Sequence, residues 1–332
     1  MLNEIERVKL ASLPTPLEVA PNLGKHLGLT KLVIKRDDLT GLAMGGNKAR
    51  KLEYEFAEVL RKKYDVVLTI GGPQSNHAAM TAAAARRLGI DVKLVLGGKN
   101  FTEYKGNLLL DNLLGAELRF LIDKDSNDEL NSAMNEWMDE LKAQGLKPYA
   151  IPVGGSTGLG ALGYVYAMKE LAEQIGNIPC QIVLAVGSCG TIAGSVLGTK
   201  MFLPEARVIG ISVSRTSDNI INRTLEIIQE SKSIINSSLL IKKNDFEIYD
   251  EFFQEYGEIT ESGKEAILTC ARLEGIFLDP IYTGKVMAGL IELTRTNVLD
   301  KKVPTIFIHT GGSPILFSFD KEFQQIAKCR KI

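Results

Sequence analysis

Short apolar runs rich in β-branched residues alternate along this chain with longer stretches of helical periodicity. The runs are VVLTI (66–70), VKLVL (92–96), LRFLI (118–122), YAIPV (149–153), QIVLAV (181–186), VIGISV (208–213) and TIFIHT (305–310). Strands of this kind, separated by helices, are typical of parallel sheets that helices cover on both faces. The sequence therefore predicts an α/β protein, and 332 residues are enough for two domains with their own cores.

The charge balance argues against several classes of partner. A formal net charge of -1 and a pI near 6.4 give no basic surface for nucleic acid or an anionic membrane. The uncharged stretch 174–199 contains Pro179 and five glycines, so we predict strand, loop and helix there and no membrane span. The charged opening NEIERVK (3–9) does not resemble a secretory signal, which predicts a cytoplasmic location.

The cysteines show no spacing typical of a metal site or a disulfide framework. They are Cys180, Cys189, Cys270 and Cys329, without a CxxC pair or ligand-like histidine neighbours. We expect reduced thiols and no structural metal.

The segment GLAMGGNKARKLE (41–53) places Lys48 behind two glycines and an asparagine. Gly45 and Gly46 permit a tight turn, Asn47 is a good helix N-cap, and an amphipathic helix pattern follows. The helix dipole and partial burial would both lower the pKa of Lys48, so that its free amine could attack an aldehyde. The alternative is a solvated basic face, which these thirteen residues alone favour.

Two turns between a strand and a helix carry polar groups. The first contains Gln74, Ser75, Asn76 and His77, at a helix N-terminus that favours a carboxylate; helix capping explains one of these residues but not four. The second contains Gly187, Ser188, Cys189, Gly190 and Thr191, a nest of backbone N–H groups that suits a phosphate. Its glycine spacing matches neither the dinucleotide fingerprint nor the P-loop, and only Arg215 keeps an NADP alternative open.

Further candidates lie near the C-terminus. Tyr282 can stack on a planar ring or move a proton. Lys285, on a helix that begins TGK, is expected to be solvated, and His309 is expected to be a hydrogen-bonded core histidine.

Six motifs occur in order: KRDDLTG (35–41), GGNKARKLE (45–53), QSNH (74–77), GSCGT (187–191), LEGIFLDPIYTGK (273–285) and IHTGG (308–312). Together they resemble the D-cysteine desulfhydrase and 1-aminocyclopropane-1-carboxylate deaminase family over nearly the whole chain. The resemblance implies pyridoxal 5'-phosphate as cofactor and two doubly wound parallel-sheet domains of the tryptophan synthase β type, fold type II. It also implies a larger cofactor-binding domain of residues 1–50 plus 165–332, a smaller domain of residues 51–164, and a homodimer.

The resemblance further implies roles for single residues. Lys48 would hold the cofactor covalently and take the substrate Cα proton, with Ser75 and Tyr282 completing the catalytic set. The remaining cofactor contacts implied are Lys51, Asn76, Gly187, Ser188, Cys189, Gly190, Thr191, Tyr282 and Thr310. The implied substrate contacts are Gln74, Ser75, Asn76, His77, Tyr282 and Thr283.

One position bears on the reaction. Deaminases of this family that open the cyclopropane ring have the sequence Tyr-Glu-Gly-Lys at this motif. This chain is similar there, but it has Thr283 in place of the glutamate. A hydroxyl does not protonate the pyridine nitrogen, so the electron sink is weaker, which suits loss of a thiolate, whose conjugate acid has a pKa of about 8.5. We therefore predict α,β-elimination of D-cysteine, a small amino-acid substrate, to pyruvate, ammonia and hydrogen sulfide. The alternatives are 1-aminocyclopropane-1-carboxylate deamination to 2-oxobutanoate and ammonia, L-cysteate sulfo-lyase activity, and a non-catalytic pyridoxal-phosphate-binding protein.

Overall fold

The computed structural model describes residues 4–98, 103–124, 126–252 and 257–324, which form ten strands and twelve α-helices. The strands are β1 (Leu17–Val19), β2 (Leu32–Lys35), β3 (Val66–Gly71), β4 (Asp91–Gly98), β5 (Glu117–Ile122), β6 (Pro148–Ile151), β7 (Gln181–Val186), β8 (Arg207–Ser212), β9 (Glu247–Tyr249) and β10 (Thr305–Ile308). The helices are α1 (Pro21–Leu27), α2 (Lys48–Lys62), α3 (Asn76–Leu88), α4 (Gly106–Leu113), α5 (Asn127–Ala143), α6 (Gly158–Ile175), α7 (Gly190–Phe202), α8 (Ser217–Ile234), α9 (Glu261–Glu274), α10 (Thr283–Arg295), α11 (Ser313–Leu316) and α12 (Asp320–Gln324).

The strands form two sheets. The larger has the order β1-β2-β10-β7-β8-β9 and is parallel except for the antiparallel edge strand β1. The smaller has the order β5-β4-β3-β6 and is parallel throughout. The predicted α/β class with two parallel sheets is confirmed.

Helices cover both faces of the larger sheet, as β7 illustrates. All six of its residues are buried. Val183 and Ala185 pack into a core that contains residues of α9 and α10, whereas Ile182, Leu184 and Val186 pack into a second core with residues of α6, α7 and α8. Because successive side chains of a strand point to opposite faces, an uninterrupted apolar run supplies both cores.

The smaller sheet uses the chain between Val66 and Ile151, and the larger sheet uses the segments on either side. The core on one face of the smaller sheet also contains Leu10, Ala11 and Leu42. The N-terminal segment therefore contacts both halves of the molecule, and the domain boundaries given above remain a prediction.

No helix in the described residues is long and apolar enough to cross a membrane. Within the same residues, no group of three or more histidine, cysteine or acidic side chains is arranged to hold a metal ion. Cys180, Cys189 and Cys270 are buried free thiols, and Cys329 lies outside the described residues.

Candidate active site

The carboxyl ends of strands from both sheets meet at one cavity of about 570 Å³. Loops after β3, β6, β7, β8 and β10 form its walls, as expected for ligand sites of open parallel sheets. Among the predicted site residues, those that line it are Lys48, Gln74, Ser75, Asn76, His77, Gly187, Ser188, Cys189, Thr191, Tyr282 and Thr310. Predicted residues from five separate parts of the chain are thus brought together.

The turn before Lys48 requires glycine. Gly45 and Gly46 have φ of 78° and 137°, and a Cβ on Gly45 would lie 1.8 Å from the Asp38 carbonyl oxygen. The Asn47 N–H donates to the Thr310 carbonyl oxygen at 3.0 Å, which ties the turn to the end of β10. Lys48 then begins α2 with its side chain in the cavity wall, where burial lowers the pKa of its amine to about 8.

Asn47 does not cap α2 with its side chain, contrary to expectation. Its amide donates instead to the Thr191 hydroxyl at 2.9 Å. The residue before Lys48 is therefore joined to the first turn of α7.

The turn between β7 and α7 presents the groups expected of a phosphate site. Cys189 has a φ of 70°, and the Gly190 N–H donates to the Ser156 hydroxyl at 3.1 Å. A Cβ on Gly190 would lie 2.8 Å from the Lys51 amine, so Lys51 sits directly behind the turn. Burial and the neighbouring Lys48 lower the pKa of Lys51, which donates to the Gly154 carbonyl oxygen at 3.1 Å. The turn, the start of α7 and this amine together suit an anion.

The QSNH turn has one capping residue and three residues with other contacts. Ser75 caps α3, since its oxygen accepts from the Ala78 N–H at 3.2 Å. His77 is buried, and its Nε2 lies 2.9 Å from the Thr69 hydroxyl, which donates its only proton to the Ile151 carbonyl oxygen. His77 Nε2 therefore carries a hydrogen. Burial first, then Lys48 and Lys51, hold the pKa of His77 well below its ordinary value.

Thr283 lies outside the cavity lining. It is fully buried, and its hydroxyl donates to Asp279 Oδ1 at 2.7 Å and accepts from the Asp279 N–H at 2.8 Å. The Asp279 carboxylate also accepts from three backbone N–H groups at the start of α10, those of Ile281, Tyr282 and Thr283. Thr283 thus belongs to a helix cap, and we do not propose that it contacts substrate.

The structure agrees with the expectation for His309 and disagrees with the one for Lys285. His309 is a core histidine, 1% exposed, whose Nε2 is 2.9 Å from the Phe277 carbonyl oxygen. Lys285 was expected to be solvated, and this is wrong. Its side chain is 0% exposed, its amine has no hydrogen-bond partner among the described residues, and burial lowers its pKa.

Sequence reasoning missed residues that act from behind the wall. Asn107 of α4 donates to Asn76 Oδ1 at 2.7 Å, and Ser156 bonds to the Ser188 hydroxyl at 2.8 Å. Asn107 lies within a helix, and Ser156 lies in the turn between β6 and α6, to which no motif assigned a role, so only the tertiary structure reveals their partners.

The residues present fit a cofactor that carries an aldehyde and a phosphate. Lys48 supplies an amine of lowered pKa, and the turn at Gly187 with Lys51 behind it supplies an anion site at the same cavity. Two parallel sheets, with a lysine amine and an anion site at the cavity between their carboxyl ends, define a pyridoxal-phosphate enzyme of fold type II.

Comparison with known proteins agrees. Residues 8–311 match the family described as pyridoxal-phosphate dependent enzymes, and the chain belongs to this family. Pyridoxal phosphate is accordingly its cofactor.

The chain is also similar to individual proteins of known name. The chain is 43% identical to a provisionally named 1-aminocyclopropane-1-carboxylate deaminase of Pyrococcus furiosus, over 94% of this chain and 93% of the relative. It is 40% identical to a D-cysteine desulfhydrase of Klebsiella pneumoniae, over 96% and 97%. The crystal structure of an ACC deaminase homologue superposes with a TM-score of 0.91 at 40% identity, covering 98% of both chains. A threonine deaminase from Solanum lycopersicum, 18% identical with a TM-score of 0.67, shares the fold.

Proposed function

We propose that this protein is a lyase that converts D-cysteine and water to pyruvate, ammonia and hydrogen sulfide. The observation that carries the proposal is the composition of the cavity wall. Its described lining contains no aspartate or glutamate, while Lys48 and Arg215 are both present. Such a wall suits the phosphate of the cofactor and the carboxylate of an amino acid, and it offers no acid to protonate a pyridine nitrogen. Loss of a thiolate needs less electron withdrawal than opening a carbocycle.

The residues divide the work as follows. Bound pyridoxal phosphate withdraws electrons from the substrate Cα. The Lys48 amine, with its pKa lowered to about 8, is deprotonated more readily than an ordinary lysine and would accept the Cα proton. The Ser75 oxygen accepts from Ala78, so its hydroxyl proton is left to donate to the substrate carboxylate. Tyr282 lies in the wall near Gly187 and can stack on the ring.

A substrate panel tests this proposal. The holoenzyme is incubated with D-cysteine, L-cysteine, β-chloro-D-alanine, L-cysteate and 1-aminocyclopropane-1-carboxylate, and pyruvate, sulfide, sulfite and 2-oxobutanoate are measured. We expect pyruvate from D-cysteine and β-chloro-D-alanine, with sulfide from the former. Release of sulfite from L-cysteate as the fastest reaction, or no turnover of any substrate, would contradict the proposal.

The second candidate is 1-aminocyclopropane-1-carboxylate deaminase. It is favoured by the 43% identity to the Pyrococcus furiosus relative of that provisional name. Rapid release of 2-oxobutanoate would support it and would show that a wall without carboxylates suffices for ring opening.

We also propose a homodimer and a cytoplasmic location. The homodimer is what the family resemblance implies, and exposed apolar side chains such as Leu113, Phe277 and Phe317, at 72%, 61% and 68%, are available on the surface for such a contact. The free thiols of Cys180, Cys189 and Cys270 suit a reducing compartment. Light scattering during size-exclusion chromatography tests the dimer, and a mass of one chain at all concentrations would contradict it.

A further inference from the structure

Asn107 lies on α4, behind the wall that carries the QSNH turn. It is 1% exposed and makes three hydrogen bonds to that turn. Its backbone N–H donates to Gln74 Oε1 at 3.0 Å, and its side-chain Nδ2 donates to the Gln74 carbonyl oxygen at 3.0 Å and to Asn76 Oδ1 at 2.7 Å. Both hydrogens of the Asn107 amide are therefore used.

These contacts determine which way the Asn76 amide faces. The Gln74 backbone carbonyl can only accept, so the Asn107 atom beside it must be the NH2 group. The Asn76 atom that meets this NH2 group must then be its oxygen. The Asn76 NH2 group is left on the other side of the amide, and Asn76 lines the cavity.

The position of α4 makes this arrangement rigid. Gly106 has a φ of 55°, and a Cβ there would lie 2.3 Å from Gln74 Oε1 and 2.2 Å from the Ser318 hydroxyl. Gln74 Nε2 also donates to the Lys105 carbonyl oxygen at 3.0 Å. The start of α4 thus approaches the turn more closely than any residue with a side chain would allow.

We propose that Asn107 is a positioning residue that turns the Asn76 NH2 group toward the phenolic oxygen of pyridoxal phosphate. The inference rests on the cofactor and on the contact between Asn76 and its phenolic oxygen that the family resemblance implies, and it is independent of which amino acid is the substrate. Asn107 itself does not touch the ligand.

The test is the isosteric change Asn107→Asp. It replaces the NH2 group by an oxygen that faces two acceptor oxygens, so the Asn76 amide should rotate and present its own oxygen to the cavity. We expect the affinity of the apoprotein for pyridoxal phosphate to fall about tenfold, the change that corresponds to one lost hydrogen bond. Affinity for 3-deoxypyridoxal 5'-phosphate, which lacks the phenolic oxygen, should change little.

Asp111→Asn is the matched control. Asp111 lies one turn further along the buried face of α4, is 0% exposed, and neither carboxylate oxygen has a partner among the described residues. Asp111→Asn replaces a carboxylate oxygen by an NH2 group, the reverse of Asn107→Asp. It should leave the affinities for pyridoxal phosphate and for the 3-deoxy analogue unchanged. Thermal melting of both variants reports on folding, and Asn107→Ala replaces Asn107→Asp if the latter does not fold.

A double-mutant cycle shows whether Asn107 acts through Asn76. In an Asn76→Ala background, Asn107→Asp should cause no further loss of affinity. Three results would overturn the proposal: unchanged affinity in Asn107→Asp, an equal loss for the 3-deoxy analogue, or losses that add in the double variant. These measurements use cofactor binding alone, so their failure is distinguishable from the absence of D-cysteine turnover.

Discussion

Lys48 lies in the cavity wall, and burial lowers the pKa of its amine to about 8. A lowered amine pKa means that the reactive free base predominates above about pH 8, whereas an ordinary lysine requires a pH near 10.4. We predict that the rate at which pyridoxal phosphate attaches to the apoprotein rises with a midpoint near pH 8. Visible absorption measures this rate, with Nα-acetyl-lysine as reference.

Lys48→Ala is the companion variant. It should bind the cofactor non-covalently and lose turnover. Borohydride reduction of the wild type and peptide mass analysis should find the pyridoxyl group on Lys48, and finding it on Lys51 or Lys285 would refute the assignment.

Thr283 belongs to a sequence motif, but in the structure it bonds to Asp279 and does not line the cavity. Thr283→Glu would place a second carboxylate beside Asp279 in a fully buried space. We expect a loss of about 3 kcal/mol in unfolding free energy, because the added charge would be buried beside a second carboxylate. Urea denaturation measures it, Thr283→Ser should be nearly neutral, and a stable variant that opens cyclopropanes would contradict this account.

Among the elements, α7 is expected to hold the cofactor phosphate at its first turn. Thr191→Val removes a hydroxyl that lines the cavity and accepts from Asn47. We predict about tenfold weaker cofactor binding with unchanged substrate preference. Thr199→Val, a buried hydroxyl on the same helix without a hydrogen-bond partner among the described residues, is the control. Changed preference with unchanged affinity would assign the turn to the substrate instead.

Helix α2, which carries Lys48, is fixed by a buried ionic cluster. Arg50 bonds to Asp37 at 2.8 Å and to Glu170 at 2.8 Å, and Lys35 bonds to Glu170. Burial alone would raise the pKa of Asp37 and of Glu170, but Arg50 holds both below their ordinary values. The stabilisation that they contribute is therefore complete above about pH 5 and is lost as the pH falls further.

Arg50→Met tests this cluster. Removing one cation leaves two buried carboxylates with one lysine, and we predict a loss of about 3 to 5 kcal/mol in unfolding free energy at pH 7. Arg61→Ala on the exposed side of α2 should leave the unfolding free energy nearly unchanged. Equal losses in urea denaturation for the two variants would contradict the role given to the cluster.

The elements differ in how well sequence predicts them. The seven predicted runs all contain strands. Apolar, β-branched runs favour strands, and those of β3 and β7 are fully buried. Strands β1, β2 and β9 were missed. Strands β1 and β9 are three residues long and only partly buried, and β2 is fully buried but has only four residues, of which the last is Lys35. Motifs also predicted which turns meet at the cavity. They did not predict side-chain partners such as Asn47 with Thr191 or Thr283 with Asp279, since these depend on distances between segments remote in sequence.

The molecule as a whole joins two sheets at a shared cavity, so a ligand there contacts both. Pyridoxal phosphate should therefore raise the melting temperature of the apoprotein, because it binds the folded state; at a free concentration 100 times Kd the stabilisation is about 2.7 kcal/mol. Lys48→Ala should show a smaller rise, since it keeps the phosphate site and loses the covalent bond. Calorimetry measures both, and a rise that is absent in the wild type would contradict a cavity built from both sheets.

The pairing of β2 with β10 has a consequence for synthesis. Leu32 of β2 pairs with Thr305 of β10, and the Asn47 N–H donates to the Thr310 carbonyl oxygen. Strand β2 and the turn before Lys48 therefore depend on contacts with residues near the C-terminus. A growing chain on the ribosome cannot form these contacts until residues 305–310 have emerged. The smaller sheet, whose strands all lie between Val66 and Ile151, has no such delay. Lys48 is thus translated early and positioned late.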